Sequence, residues 1–210
     1  LRRIRILCAI YDLPFRREHQ QRLTQLWGAP GVELIMQGLD LGETFVRETF
    51  YPAWERLDSQ QALPLVPRTR EVLAWLRRNK IASTVLTSRH REHVIDMLER
   101  LDLSRDFVMI STKFDTPYRK PDPRVFRHTL EELEEKLLVR KHEVIFVGDT
   151  PADIDAGKAA EIETVLVQTG PYLLKHADKL PLPLSHVLNS IDDLPSWIEE
   201  HHEGPLLPYD

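Results

Sequence analysis

From about Leu65 onwards, short β-branched runs alternate with amphipathic stretches of helical period, and that alternation limits what the chain can become. The runs IASTVLT (residues 81–87), DFVMIS (106–111), EVIFV (143–147), ETVLVQ (163–168) and the shorter HVLN (186–189) read as strands. RTREVLAWLRRNK precedes the first of them, and SRHREHVIDMLERL, DPRVFRHTLEELEEKLL and ADIDAGKAAE lie between them, all read as helices, with DDLPSWIEEH as a closing one. Strands joined by helices run parallel, so the expectation is an open α/β fold whose parallel sheet is covered on both faces. EVIFV shows little alternation and is expected in a fully buried central position.

Residues 1–64 have a different texture, and no run there reads as a strand. Ile4, Leu7, Cys8 and Tyr11 recur at helical spacing. RREHQQRLTQLWG is expected to end at Gly28, and a second short helix opens with Pro30. Val46, Phe50 and Trp54 stand four residues apart, with Pro52 expected to kink that segment. The division expected is a helical unit over 1–64 and an α/β core over 65–210. The chain opens on Leu1 inside a helical pattern, which reads as the middle of something longer.

Composition narrows the class. Hydrophobic residues make up 42% and charged residues 29%, enough for a core inside a water-facing surface. The net charge is −5 and no basic block occurs, which argues against nucleic acid. No apolar run approaches a membrane span. The single cysteine, Cys8, leaves no intramolecular disulfide and points to a reducing, cytoplasmic setting. Oligomeric state is left open.

In open α/β sheets ligands bind beyond the carboxyl ends of the strands. The first strand ends in Thr87-Ser88, Lys120 follows the second across TKFDTPYRKPDP, and the third runs into Gly148-Asp149, with Thr150 and Asp153 on the next turn. A hydroxyl beside backbone N–H groups, a lysine and a carboxylate pair are the parts of a phosphate and divalent-metal site. Asp149 is expected to face Mg²⁺, and Asp153 either to support the metal shell or to fix Lys120. Each part also has a plainer role: Thr87-Ser88 as a helix N-cap, Lys120 as an exposed loop lysine, the two acids as partners of a helix dipole. The three strand ends taken in order favour the site. His90 and His93, three apart on a helix, have no third ligand in sequence and read as a solvated face, and His201-His202 reads as part of a polar tail. Phe45, Phe50 and Trp54 read as packing in the helical unit, and Cys8 as a small core residue.

TVLTSRH, YRKPDPRVF and VIFVGDTPADIDAGKAA resemble the second, third and fourth motifs of the haloacid dehalogenase-like (HAD) hydrolases, most of all phosphoglycolate-phosphatase-like members with a small helical cap. The resemblance implies a Rossmann-like HAD core, lacking its first strand here, with residues 1–64 as the cap. It implies that Thr87, with Ser88, binds the transferring phosphoryl group, that Lys120 stabilises its charge, that Asp149 ligates Mg²⁺ and that Asp153 is a supporting acid. The implied activity is Mg²⁺-dependent hydrolysis of small phosphorylated metabolites through a phosphoaspartyl intermediate.

The chain departs from that pattern in one place that matters for chemistry. Family members begin with a strand ending in Asp-x-Asp-Gly-Thr, whose first acid attacks phosphorus, and no such motif occurs here. Asp12 in CAIYDLPF follows apolar residues, but Pro14 stands where the second acid belongs, and the segment suits the first cap helix better. The expectation is an N-terminally truncated, inactive form. The alternatives are a non-catalytic phosphate- and metal-binding module, or a HAD enzyme of another type: phosphomutase, phosphonatase or dehalogenase. Glu161 is a smaller departure, standing where the family usually has glycine.

Overall fold

The computed structural model describes residues 1–27, 29–60, 64–169, 182–183 and 186–202, with the backbone alone described at 58–60. The expected stop at Gly28 and the tail from 203 lie outside the described residues. The chain divides into two compact units, Leu1–Leu63 and Pro64–Asp210.

The first unit is helical: α1 (Arg2–Ile10), α2 (Arg17–Gln25), α3 (Gly31–Leu39), and a longer rod made of α4 (Glu43–Phe45), a π-helical turn (Val46–Phe50) and α5 (Tyr51–Gln60). Ile4, Leu7 and Cys8 share one face of α1 and pack with Leu23, Leu34, Ile35, Val46 and Phe50. Pro52 does not break the rod. Its ring cannot accept the carbonyl four residues back, and the widened turn over Val46–Phe50, just upstream, accommodates it. Asp12 follows α1 in left-handed backbone (φ 53°) and is exposed. It closes a helix end and does not stand at a strand end.

The second unit contains α6 (Thr69–Arg78), β1 (Thr84–Leu86), α7 (Arg91–Arg100), β2 (Met109–Ser111), α8 (Arg127–Leu137), β3 (Ile145–Gly148), α9 (Pro151–Ala159), β4 (Glu163–Val167), β5 (Val187–Leu188) and α10 (Leu194–His201). Among the described residues all strand pairings are parallel. β1 lies beside β2, with Val85 opposite Ile110, and β4 lies between β3 and β5, with Val147 opposite Val165 and Leu166 opposite Val187. Among the described residues the strands therefore form a two-stranded and a three-stranded sheet rather than one. Both contribute to one apolar core: Val85 and Ile110 from the first sheet and Val147, Val165, Val167 and Leu188 from the second, packed with Val72, Leu76, Val94, Leu98 and Trp197 from the helices.

This corrects the expected place of EVIFV. Ile145, Phe146 and Val147 are only half-buried, and the buried central strand is β4. Among the described residues β3 has a single strand neighbour, as has β1, so each presents an unpaired edge. The strands are also shorter than the apolar runs: β1 begins at Thr84 rather than Ile81, and β2 at Met109 rather than Asp106.

Helix α9 lies hard against β4. A Cβ at Gly157 would come within 2.1 Å of Thr164 Oγ1, so only glycine allows this approach. The turn after α9 keeps a left-handed residue even though it is Glu161 (φ 55°), at a backbone cost of about 1–2 kcal/mol. Ile162 N–H closes that turn on Gly157 O at 3.0 Å, and Lys141 Nζ meets the Glu161 carboxylate at 3.1 Å. Among the described residues, no helix is long and apolar enough to cross a membrane.

Candidate active site

Strand β3 delivers Gly148 and Asp149, and α9 starts at once with Thr150 as its N-cap and Pro151 in the first turn. Both residue types suit a helix start: the threonine oxygen can accept an otherwise unpaired backbone N–H, and proline has no N–H to lose. Thr150 and Asp153 form a capping box, in which Asp153 N–H donates to Thr150 Oγ1 at 3.3 Å. Asp153 Oδ2 accepts from Asp149 N–H at 3.2 Å, Thr150 N–H at 3.0 Å and Thr150 Oγ1 at 2.6 Å. Gly148 makes room for this: a Cβ there would lie 2.3 Å from Asp153 Cβ.

The other oxygen of Asp153 holds Lys120. Lys120 Nζ and Asp153 Oδ1 are 2.5 Å apart, with the two side chains 18% and 5% exposed. The ammonium also lies 5.5 Å from the centroid of the Phe146 ring, which meets Phe126 edge-on. Lys120 is thus not an exposed loop lysine. Downstream the loop is braced by Asp122, which accepts from Arg124 N–H at 2.9 Å and pairs with its guanidinium, itself 4.0 Å from the Tyr118 ring centroid. Of the two roles open to Asp153, its geometry matches the fixing of Lys120, since both its oxygens are already engaged.

Asp149 is in a different condition. Burial pushes its carboxyl above the ordinary range, the charge of Asp153 adds to this, and Lys120 only partly offsets it. Among the described residues no side chain hydrogen-bonds this carboxylate, and no three His, Cys, Asp or Glu side chains are placed to hold a metal ion together. A half-buried carboxylate short of positive charge fits a hard cation such as Mg²⁺, which binds through one or two carboxylates and keeps several waters.

Thr87 extends the β1–β2 ladder, donating its N–H to Ser111 O at 2.9 Å, and its Oγ1 accepts from Arg89 N–H at 3.2 Å. It is not the N-cap of α7; His90 is. Ser88 is exposed. The structure joins Lys120, Asp149 and Asp153 by direct contacts. Among the described residues no hydrogen bond or ion pair links Thr87 or Ser88 to those three. His90 and His93 lie tilted against each other, 5.4 Å between centroids, with Phe114 edge-on to His90. His201 and His202, read as a polar tail, instead sit by Trp197, and His202 Nε2 approaches Glu163 at 3.3 Å.

Two charged residues near this edge escaped the sequence reading. Asp115 accepts from Thr112 N–H and Oγ1 at 2.7 and 2.8 Å and pairs with Arg91 at 2.6 Å. Arg91 and Asp115 are 24 positions apart, and no local pattern announces a pair at that separation.

Comparison with known proteins identifies the family. The family model for haloacid dehalogenase-like hydrolases matches residues 9–167. The chain belongs to that family. A phosphoglycolate phosphatase of Pseudomonas fluorescens is 29% identical over 138 residues, 65% of this chain and 48% of that protein. A phosphorylated carbohydrates phosphatase of Thermotoga maritima is 24% identical over 157 residues, 74% of this chain and 70% of that protein. The chain spans about half the length of the first of these relatives. In fold it is similar to CbbY from Rhodobacter sphaeroides in complex with phosphate, with a TM-score of 0.67 at 18% identity, covering 92% of this chain and 87% of that one. The resemblance to this family and the α/β fold class are thus established, and the helices of the first unit are consistent with a cap.

Proposed function

We propose that this chain is the phosphate- and Mg²⁺-binding part of a phosphatase acting on small phosphorylated metabolites. The observation that carries the reading is the junction of Lys120, Asp153 and Asp149. A cation is held beside a strand end by one carboxylate, while a second, poorly compensated carboxylate stands next to it. Lys120, immobilised by Asp153, places positive charge where a phosphoryl group needs it and loses little on binding, because its position is already set. Thr87 supplies a hydroxyl at the end of β1, and Ser88 a second one. Asp149 would hold Mg²⁺; when bound, the ion withdraws charge from the phosphoryl oxygens. Asp153 acts through Lys120 and not on substrate.

The relatives named for phosphoglycolate and phosphorylated carbohydrates, and the phosphate complex of CbbY, support a small phosphate ester as ligand. The helical unit is assigned the part of the cap. The attacking aspartate is assigned to a strand outside residues 1–210. No strand of the chain ends in Asp-x-Asp-Gly-Thr, and β1 and β3 both have an unpaired edge among the described residues. The same observation favours, as a second reading, a module that binds phosphate without chemistry.

Titration of the full chain with inorganic phosphate, with and without Mg²⁺, followed by calorimetry, tests the reading. Mg²⁺-assisted binding, lost in Lys120→Ala and Asp149→Ala, is expected, with no turnover of phosphorylated sugars or phosphoglycolate. Absence of phosphate binding overturns the site. Robust Mg²⁺-dependent turnover that Asp149→Ala abolishes overturns the assignment of the nucleophile to another segment.

A further inference from the structure

Two loops leave the β1–β2 sheet side by side. The one after β1 carries Thr87 and runs to Arg91, the first residue of α7; the one after β2 runs from Thr112 to Lys120. Their relative position is set by one carboxylate. Asp115 Oδ2 takes both the N–H and the hydroxyl of Thr112, at 2.7 and 2.8 Å, which closes a tight turn together with Asp115 N–H on Thr112 O at 3.1 Å. Oδ1 takes Arg91 NH2 at 2.6 Å, and the same amino group donates to Ile110 O at 3.1 Å, on the backbone of β2. A residue of the β1 loop is therefore tied both to the strand it lies beside and to the turn that launches the Lys120 loop. Thr112 is 1% exposed, so the anchor end of this tie is buried. His90 and Phe114, edge-on at 4.9 Å, add a second contact between the same two loops.

We infer that Asp115 is a positioning residue, which with Arg91 locks the loop carrying Lys120 to the loop carrying Thr87. The inference rests on the phosphate reading of those two residues. Two features distinguish this contact from a general stabilising ion pair. The side chains that Asp115 engages, Arg91 at the start of α7 and Thr112 just past β2, lie at the ends of the elements, and neither belongs to the apolar core. The contact also spends every hydrogen bond on setting direction: two on the turn, one on the neighbouring loop. Burial pushes the Asp115 carboxyl up, but hydrogen bonds from Arg91 and Thr112 outweigh it and hold the group below the usual carboxylate range, so the tie persists when the medium is mildly acidic. Lys120 is clamped from the other side by Asp153 and Thr87 N–H is held on Ser111 O, so a slack tie would leave both anchored while the turns between them lose their set direction.

The test uses the full chain and inorganic phosphate with Mg²⁺. Asp115→Asn and Arg91→Gln are each expected to weaken phosphate binding about tenfold, the scale on which residues orienting a binding group act, and the double variant no further. Arg91→Lys, which keeps a cation opposite Asp115, recovers most of the loss. Asp106→Asn breaks an ion pair of similar length with Arg77 away from this edge and leaves phosphate binding unchanged. If Asp115→Asn does not fold, Arg91→Gln carries the same measurement. Binding within twofold of wild type in Asp115→Asn or Arg91→Gln, additive losses, or an equal loss in Asp106→Asn overturns the positioning role. Failure of the unaltered chain to bind phosphate removes the phosphate reading itself and this inference with it.

Discussion

Replacing Asp153 by asparagine separates the charge of that residue from its capping duty. The amide oxygen can still accept the three donors that now converge on Oδ2, so the cap, worth about 0.5–2 kcal/mol, is retained. The amide nitrogen then faces Lys120, donor against donor. A surface ion pair contributes about 0–1 kcal/mol, but with the side chains 18% and 5% exposed and the charged atoms 2.5 Å apart this pair is not a surface one. Removing one member of a buried pair costs about 3–5 kcal/mol, because the survivor is left desolvated. Lys120 keeps some access to water, which places Asp153→Asn near the lower end, about 3 kcal/mol. Lys120→Met leaves Asp153 with three donors and is expected to cost about 2 kcal/mol, the scale of one hydrogen bond to a charged group. The double variant has no stranded charge, so its cost falls short of the sum by about 2 kcal/mol, within the range for residues in contact. Urea unfolding followed by amide hydrogen exchange in β4 reports on the Pro64–Asp210 unit alone. Single costs that add to within about 0.5 kcal/mol, or an Asp153→Asn cost below about 1 kcal/mol, refute the claim that the pair is buried and coupled.

The raised ionisation of Asp149 sets a pH dependence of definite sign. The folded state holds this proton more tightly than the unfolded chain, so the group's stability contribution is complete below the unfolded value of about 3.9 and is lost as pH rises through the folded one. Asp149→Asn is therefore expected to raise Tm at pH 7 and to lose that advantage towards pH 4, while added Mg²⁺ raises Tm only in the wild type; scanning calorimetry across pH checks both, and a lower Tm for the variant at pH 7 contradicts the sign. Gly148→Ala forces a Cβ to within 2.3 Å of Asp153 Cβ and is expected to cost about 1–3 kcal/mol and to weaken phosphate binding by displacing Asp153 from Lys120; a neutral effect on both would show that the strand end yields without penalty.

Much of the site was legible because its signals are local. Thr150, Pro151 and Asp153 make a helix start through contacts within four residues, and a capping box, a strand and a helix period all act over one or two turns of chain. The parts at three strand ends could be named in order for the same reason, and the helical character of Leu1–Leu63 followed from apolar spacing, with Ile4, Leu7 and Cys8 all buried. Lys120 was named from its place beyond a strand, but nothing local says that an acid 33 positions later holds it, or that Arg91 and Asp115 tie two loops. The place of β3 was misread for a related reason. An apolar run reports that a strand is suited to burial, whereas its burial depends on what lies on each side of it.

Sequence alone determined the alternation of strand and helix, the parallel sense it implies, and the chemical types gathered at the strand ends, because propensity, period and capping act between residues close in the chain. Tertiary structure alone decided which strand is central, that Asp153 is consumed by Lys120 and its own helix start, and that Asp149 is left short of positive charge. Those outcomes depend on distances across the fold, and desolvation and Coulomb energy respond to such distances irrespective of separation along the chain.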